Sequence, residues 1–191
     1  DKLKSNQIDG IRSKVNIVVA LFGAICMIVI LFAPEILYVM APKQYSEAVY
    51  VIPPVIAGVF FTSLYSLFAN IEFYYQKTKY TMLASVLSAI VNIVLNYLLI
   101  PEYGYIAAAY TTLITYILNA IVHYFFMNII DNRKIYDIKS LVFISILLVF
   151  LSIIVLPIYN RIIIRYILLV IILLILFIFR KRIVSIIKFK N

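Results

Sequence analysis

The stretch YTMLASVLSAIVNIVLNYLLIPEYGYIAAAYTTLITYILNAIVHYFFMNII, residues 80–130, decides the fold. Two apolar runs flank the short sequence Ile100-Pro101-Glu102-Tyr103-Gly104. Each run has the ~20 residues that a helix needs to cross the hydrocarbon of a bilayer. Proline ends helices because it lacks an amide donor, so the run predicts a transmembrane helical hairpin with its turn at 100–104.

Composition extends this reading to the whole chain. Hydrophobic residues make up 65% of the 191 residues, mean hydropathy is +1.09, and there are only seventeen basic and eight acidic residues. That is too little polar surface to coat a soluble globule. We therefore predict an all-α integral membrane protein, and we assign the net charge of +9 to membrane topology rather than to nucleic acid.

Charge-free intervals predict six transmembrane helices. The last interval has only 14 uncharged residues, but Arg161 and Arg165 at its start and Arg180 at its end are long enough to reach the membrane interface. The intervals are 15–34, 48–71, 80–101, 103–130, 140–160 and 166–179.

Basic residues alternate between the two sides of the membrane as this count requires. Cytoplasmic loops are enriched in Lys and Arg, so we predict that both ends of the segment are cytoplasmic. The opposite side carries Lys43, Arg161 and Arg165. The cytoplasmic side carries fourteen: Lys2, Lys4, Arg12, Lys14, Lys77, Lys79, Arg133, Lys134, Lys139, Arg180, Lys181, Arg182, Lys188 and Lys190.

The same reading divides the chain into five parts and predicts an outer connection at 33–47. The start at Asp1, with neither an initiator Met nor a signal-peptide layout, leads us to expect a cut from a longer polypeptide. The parts are a cytoplasmic segment at 1–14, a four-helix membrane portion at 15–130, a cytoplasmic loop at 131–139, a terminal helix pair at 140–180 and a basic cytoplasmic tail at 181–191.

Polar residues recur at intervals of three or four in three consecutive spans, so each span presents a polar stripe on one face. Two interpretations remain open for them: helix packing, favoured for the Ser and Thr residues, and the lining of a cavity, about equally supported for the Asn residues. The stripes are Gly58, Thr62, Ser66 and Asn70; Ser85, Ser88, Asn92 and Asn96; and Thr112, Thr115, Tyr116, Asn119 and His123.

Two titratable residues stand out in the apolar sequence. His123 is typical of a histidine with an interhelical partner, and a proton-coupled role is the alternative. Glu72 lies off the Thr62/Ser66/Asn70 face, and its distance of five residues from Lys77 places it at the cytoplasmic interface. We predict no catalytic site, no metal site and no cofactor, because the chain has one His, one Cys and no Gly-rich phosphate loop.

The hairpin resembles a known family. Asn92-x-x-Leu95-Asn96, then Leu99-Ile100-Pro101-x-Tyr103-Gly104, then Ala107-Ala108-Ala109 is similar to the C-terminal half of polysaccharide-biosynthesis flippases of the multidrug/oligosaccharidyl-lipid/polysaccharide (MOP) exporter superfamily. The outer turn Ala33-Pro34-Glu35-Ile36-Leu37 and Tyr45-x-x-Ala48 is similar as well. The resemblance covers roughly 15–130 and implies the second-lobe part of a two-lobe, MATE-like transporter.

The resemblance also implies a function: export of a polyprenyl-diphosphate-linked oligosaccharide across the bacterial cytoplasmic membrane for surface polysaccharide synthesis. Its implied partners are the bilayer, the lipid-linked oligosaccharide, a missing N-terminal lobe of the same polypeptide that carries the cationic site, and polysaccharide assembly proteins. The implied cavity residues are Thr62, Ser66, Asn70, Ser88, Asn92, Asn96 and Asn119, with His123 and Glu72 as candidates for proton-linked groups.

Two other interpretations stay open. A drug or cation antiporter of the same superfamily would need acidic residues near the middle of a span, and Glu72 is poorly placed for that. A membrane assembly subunit with no transport activity would require these six helices to be a complete chain.

Overall fold

A computed structural model describes residues 8–181 and 184, and all of the regular structure in these residues is helical. Parts of the predicted segment at 1–14 and of the predicted tail at 181–191 lie outside them. Two 3-10 helices, Lys43–Tyr50 and Leu156–Ile158, lie between the α-helices. The α-helices are α1 (Ile8–Leu31), α2 (Ala33–Met40), α3 (Ile52–Tyr74), α4 (Thr78–Tyr103), α5 (Tyr105–Ile130), α6 (Ile138–Val155) and α7 (Ile162–Ile178).

Five of the six predicted spans correspond to helices that are long and apolar enough to cross a bilayer: α1, α3, α4, α5 and α6 with its 3-10 extension. The sixth corresponds to α7, an apolar helix of 17 residues. At 1.5 Å per residue it is about 26 Å long, against a hydrocarbon thickness of ~30 Å. A sixth span therefore stays a prediction. The predicted outer connection at 33–47 forms α2 and most of the first 3-10 helix rather than an irregular loop.

The described residues form two compact units. One is built by α1, α6 and α7, and the other by α3, α4 and α5, from Glu35–Arg133. Within its unit α1 packs against α6 and α7. The five-part division of the chain stays a prediction.

In the second unit α5 packs against both α3 and α4, which contact each other much less. The α4–α5 hairpin has its turn where it was predicted. Pro101 lies in the last turn of α4, and Gly104 follows with φ +66°, a conformation that side chains with a Cβ disfavour. The α3–α5 pair approaches closely at Gly58, where an added Cβ would lie 3.0 Å from the ring of Tyr116.

In the first unit two side chains bond to the end of α1. The hydroxyl of Tyr159 donates to the Ile30 carbonyl at 3.1 Å, and Nη1 of Arg165 donates to the Leu31 carbonyl at 2.8 Å. The last carbonyls of a helix have no hydrogen-bond partner within it. These two bonds therefore give the buried carbonyls at the end of α1 the donors that they would otherwise lack. Arg165 is 4% exposed. The expectation that it reaches out to the membrane interface is therefore wrong, because its guanidinium caps α1 instead.

A polar cluster of Tyr75, Asp131 and Arg133 connects the end of α3 to the segment after α5. Arg133 donates to both carboxylate oxygens of Asp131, at 2.9 and 2.7 Å, and to the hydroxyl of Tyr75 at 2.7 Å. That hydroxyl donates to Asp131 at 2.9 Å. The Arg133 guanidinium lowers the pKa of Asp131 from 3.8 to about 2. The carboxylate is therefore bound more strongly in its ionised form, and this ties the segment after α5 to the end of α3.

We predict that this cluster makes stability depend on acid. Because the pKa of Asp131 is lower in the folded state, its contribution is complete above pH 3.8 and is lost as the pH falls toward about 2. Thermal unfolding in detergent between pH 5 and 2 measures the effect. Asp131→Asn should remove this part of the acid dependence. The control Glu102→Gln replaces an exposed carboxylate and should behave as the wild type; identical acid profiles for all three proteins would refute the prediction.

Candidate functional site

The facing polar stripes of α4 and α5 form a ladder of side-chain hydrogen bonds. Every step of four residues up α4 is matched by a step of four residues down α5, as expected for an antiparallel pair. The three rungs are Ser88 to Asn119 at 3.1 Å, Asn92 to Thr115 at 3.2 Å, and Thr111 to Asn96.

The ladder is also connected along α4. Nδ2 of Asn96 donates to Oδ1 of Asn92 at 3.0 Å, so the two amides form a chain between their α5 partners. An amide nitrogen has two protons, and each of these two uses one for the bonds described. The Nδ2 atom of Asn119 has no hydrogen bond within the described part of the chain. The ladder therefore holds the hairpin together and still leaves donors available.

A cleft of about 350 Å³ opens along this ladder. Its volume is in the range of ~300–1,000 Å³ that is usual for small-ligand sites. Amides and hydroxyls supply hydrogen-bonding groups, and the ring of Tyr116 supplies an aromatic face; none of the lining residues is charged. The lining residues are Ser85, Ser88, Ala89, Asn92, Thr112, Thr115, Tyr116 and Asn119.

The structure brings together four of the seven residues predicted to line a cavity. Ser88, Asn92 and Asn119 line the cleft, and Asn96 bonds to Asn92 at its side. The other three lie on α3 and do not line it. Asn70 and Ser66 are exposed in the described chain, and the hydroxyls of Thr62 and Ser66 donate to carbonyls of their own helix. These three belong to a cavity only as a proposal.

Sequence reasoning missed Thr111, which is fully buried and closes the ladder at Asn96. It lies beside the predicted stripe, which begins at Thr112. The signal that could have found it is the register of the hairpin. Once the turn is set near Gly104, an antiparallel pair places Asn96 opposite 111 or 112, and a Thr at both positions hides which one bonds.

The two titratable residues of the unit are in contact. Oε1 of Glu72 lies 2.7 Å from Nδ1 of His123, and both side chains are fully buried. Oε2 of Glu72 accepts from the hydroxyl of Thr81 at 2.6 Å, and the ring of Tyr65 stacks on the imidazole at 5.4 Å between centroids. Glu72 was expected at the membrane interface; its complete burial against α4 and α5 instead makes it the junction of all three helices.

This junction joins two titratable side chains through one hydrogen bond, whose donor and acceptor depend on the tautomer of the imidazole. The other ring nitrogen, Nε2 of His123, is buried and has no hydrogen-bond partner among the described residues. Within those residues no group of three or more His, Cys, Asp or Glu side chains is arranged to hold a metal ion.

Comparison with known proteins agrees with this helical membrane architecture. Residues 11–98 match the MatE family model. The match covers less than half of the 191 residues, so it shows a similarity of this segment to that family, and the five long apolar helices have the length and composition of transmembrane helices. It includes Glu72, Asn92 and Asn96 but ends before Asn119 and His123. No curated protein and no solved structure matches the chain.

We predict that the middle rung of the ladder carries a measurable coupling energy. Interhelical hydrogen bonds in membrane proteins average ~0.6 kcal/mol and reach ~1.7 kcal/mol. In a double-mutant cycle of Asn92→Leu and Thr115→Val, the coupling should fall in this range, measured by unfolding in mixed micelles. The matched control pairs Asn92→Leu with Thr62→Val, whose hydroxyl bonds only within α3, and should be additive. Additive effects in both cycles would show that the Asn92–Thr115 hydrogen bond contributes no coupling energy.

We predict a larger effect at the buried pair. Leu in place of either Glu72 or His123 leaves the other buried polar group without its partner, which costs ~1–3 kcal/mol and more if that group is charged. The double variant Glu72→Leu/His123→Leu removes both polar groups and should recover most of that loss. The same unfolding assay measures all three proteins. A double variant that is as unstable as the sum of the two single variants would contradict a direct pair.

Proposed function

We propose that this chain forms part of a transporter that flips a polyprenyl-diphosphate-linked oligosaccharide across the bacterial cytoplasmic membrane. The observation that carries the proposal is the cleft between α4 and α5. It is lined by amides and hydroxyls without a charged group, which suits the neutral, hydroxyl-rich surface of a sugar.

The physical problem of flipping is to carry a polar head through a medium without hydrogen-bonding groups. The free amide protons of Asn92, Asn96 and Asn119 and the hydroxyls beside them can replace part of the water around the sugar. The lipid chain can stay in the hydrocarbon. Rocking between two lobes would open such a cleft to each side in turn, as in other secondary transporters.

The diphosphate needs a different site. Phosphate groups are bound by Arg and Lys through charge-assisted hydrogen bonds, and the cleft offers neither. We therefore assign the cationic site to an N-terminal lobe of the same polypeptide. In this proposal both ends of the present segment are cytoplasmic, and polysaccharide assembly proteins receive the flipped glycan.

A second candidate is a cation-coupled drug antiporter, and the Glu72–His123 pair favours it. A buried carboxylate beside an imidazole can exchange a proton or hold a cationic drug. In the flippase the same pair would couple proton movement to the change of lobe orientation. The two candidates therefore differ in the cargo of the cleft rather than in the presence of the pair.

The test compares three identical substitutions. In cells that depend on this protein for one surface glycan, Asn92→Leu and Asn119→Leu should each lower the surface glycan at least about tenfold and raise the lipid-linked precursor inside. Losing one or two hydrogen bonds to a bound ligand corresponds to such a factor. The matched control Asn70→Leu alters an exposed amide on α3 and should export normally.

Protein level in the membrane is measured for each variant, so that a folding defect is separated from a transport defect. Normal export by both cleft variants would show that these amides serve helix packing and do not bind the cargo. Unchanged glycan, together with extrusion of cationic dyes that is abolished by Glu72→Gln, would favour the antiporter instead.

A further inference from the structure

The unit formed by α1, α6 and α7 contains a larger cavity, of about 640 Å³. Neither the ladder nor the buried pair belongs to this unit, so the proposed function leaves the cavity unused. Ala20 and Ala24 on α1 make room between the helices, and large apolar side chains complete the wall. The lining residues are Asn16, Ile17, Ala20, Leu21, Ala24, Lys139, Ser140, Phe143, Ile144, Ile175, Leu176 and Phe179.

The cavity is polar only at one end. Asn16 is its most N-terminal residue on α1, while Lys139 and Ser140 are the first residues of α6 to line it. From there the lining on α1 continues to Ala24 and is entirely apolar, over about 12 Å at 1.5 Å per residue. That depth is less than half of the ~30 Å hydrocarbon thickness, so the cavity has the dimensions of one leaflet.

The charges around the polar end are mainly positive. Lys139 is exposed at the rim, and Arg180 and Lys181 follow directly after the last lining residue, Phe179. The one described carboxylate beside them, Asp137, is occupied: it accepts from Nδ2 of Asn16 at 3.1 Å and from the hydroxyl of Ser140 at 2.6 Å. An anionic group at the rim therefore meets the exposed ammonium of Lys139, while the neighbouring carboxylate of Asp137 already accepts two hydrogen bonds.

We propose that this cavity binds an anionic glycerophospholipid of the phosphatidylglycerol type from the leaflet on the basic side. An acyl chain lies between α1, α6 and α7, and the phosphate contacts Lys139. Basic pockets between transmembrane helices are known binding sites for anionic headgroups. The lipid would fill the space between the three helices and hold α7 against its neighbours.

The absence of tryptophan from the sequence gives a direct test. Phe143→Trp places the chain's only Trp in the cavity wall, and Phe150→Trp places it two turns away on the same helix, outside the lining. Both positions are exposed, so both variants should fold. The full-length protein is reconstituted in phosphatidylcholine vesicles, with any other Trp replaced by Phe. Quenching is then compared between brominated phosphatidylglycerol and brominated phosphatidylcholine at equal low mole fractions.

The Phe143→Trp reporter should prefer brominated phosphatidylglycerol by about fivefold, the factor that corresponds to ~1 kcal/mol per basic side chain near an anionic surface. The Phe150→Trp reporter should show no preference. Lys139→Gln should abolish the preference at 143, and Ala20→Phe should abolish it by filling the space. Val18→Phe adds the same ring at an exposed position outside the lining and should leave it intact.

Equal quenching by both lipids at 143 would overturn the proposal, and so would a preference that survives Lys139→Gln. Displacement of the brominated lipid by an equal amount of polyprenyl phosphate would assign the cavity to the cargo lipid instead, against the proposal. None of these results depends on glycan export. A failure here is therefore separate from a failure of the flippase assignment.

Discussion

Within a membrane, a polar side chain must find its hydrogen-bond partner in the protein, and this constraint organises the α3–α5 unit. α5 supplies these hydrogen-bond partners to both of its neighbours. Its polar face pairs with Asn92 and Asn96 of α4, and farther along the helix His123 pairs with Glu72 of α3. Because one helix supplies partners in two directions, α3 and α4 stay in register with little contact of their own.

The two sets of polar contacts differ in the hydrogen-bonding groups that they leave unpaired. The ladder is made of amides and hydroxyls with more donors than the helices use, and these surplus donors face the cleft. The Glu72–His123 pair is fully buried, and among the described residues the other ring nitrogen of His123 has no hydrogen-bond partner. One helical unit thus holds two different kinds of polar contact, an open ladder of amides and hydroxyls and an enclosed pair of titratable side chains.

The helices, the hairpin turn and the polar face of the α4–α5 pair could be predicted from the sequence, because each depends on the spacing of residues that are close together in the chain. Hydropathy located the helices, and Pro101 with Gly104 located the turn. The spacing of Ser88, Asn92 and Asn119 identified a polar face that lines the cleft. A spacing of four says which residues share a face but not which way that face points, and for this reason the Ser66 and Asn70 stripe was assigned to the same cavity.

The features that escaped prediction are contacts between residues far apart in the chain. Glu72 and His123 are 51 positions apart, and Arg165 is 134 positions from the carbonyl that it caps. A charged residue near the end of an apolar run is compatible with two outcomes, exposure at the interface or burial against a partner, and they have the same local sequence. What separates them is the free-energy cost of leaving a buried polar group without a hydrogen-bond partner. The last carbonyls of α1 and the imidazole of His123 would each remain unpaired without these partners, and that cost draws Arg165 and Glu72 inward.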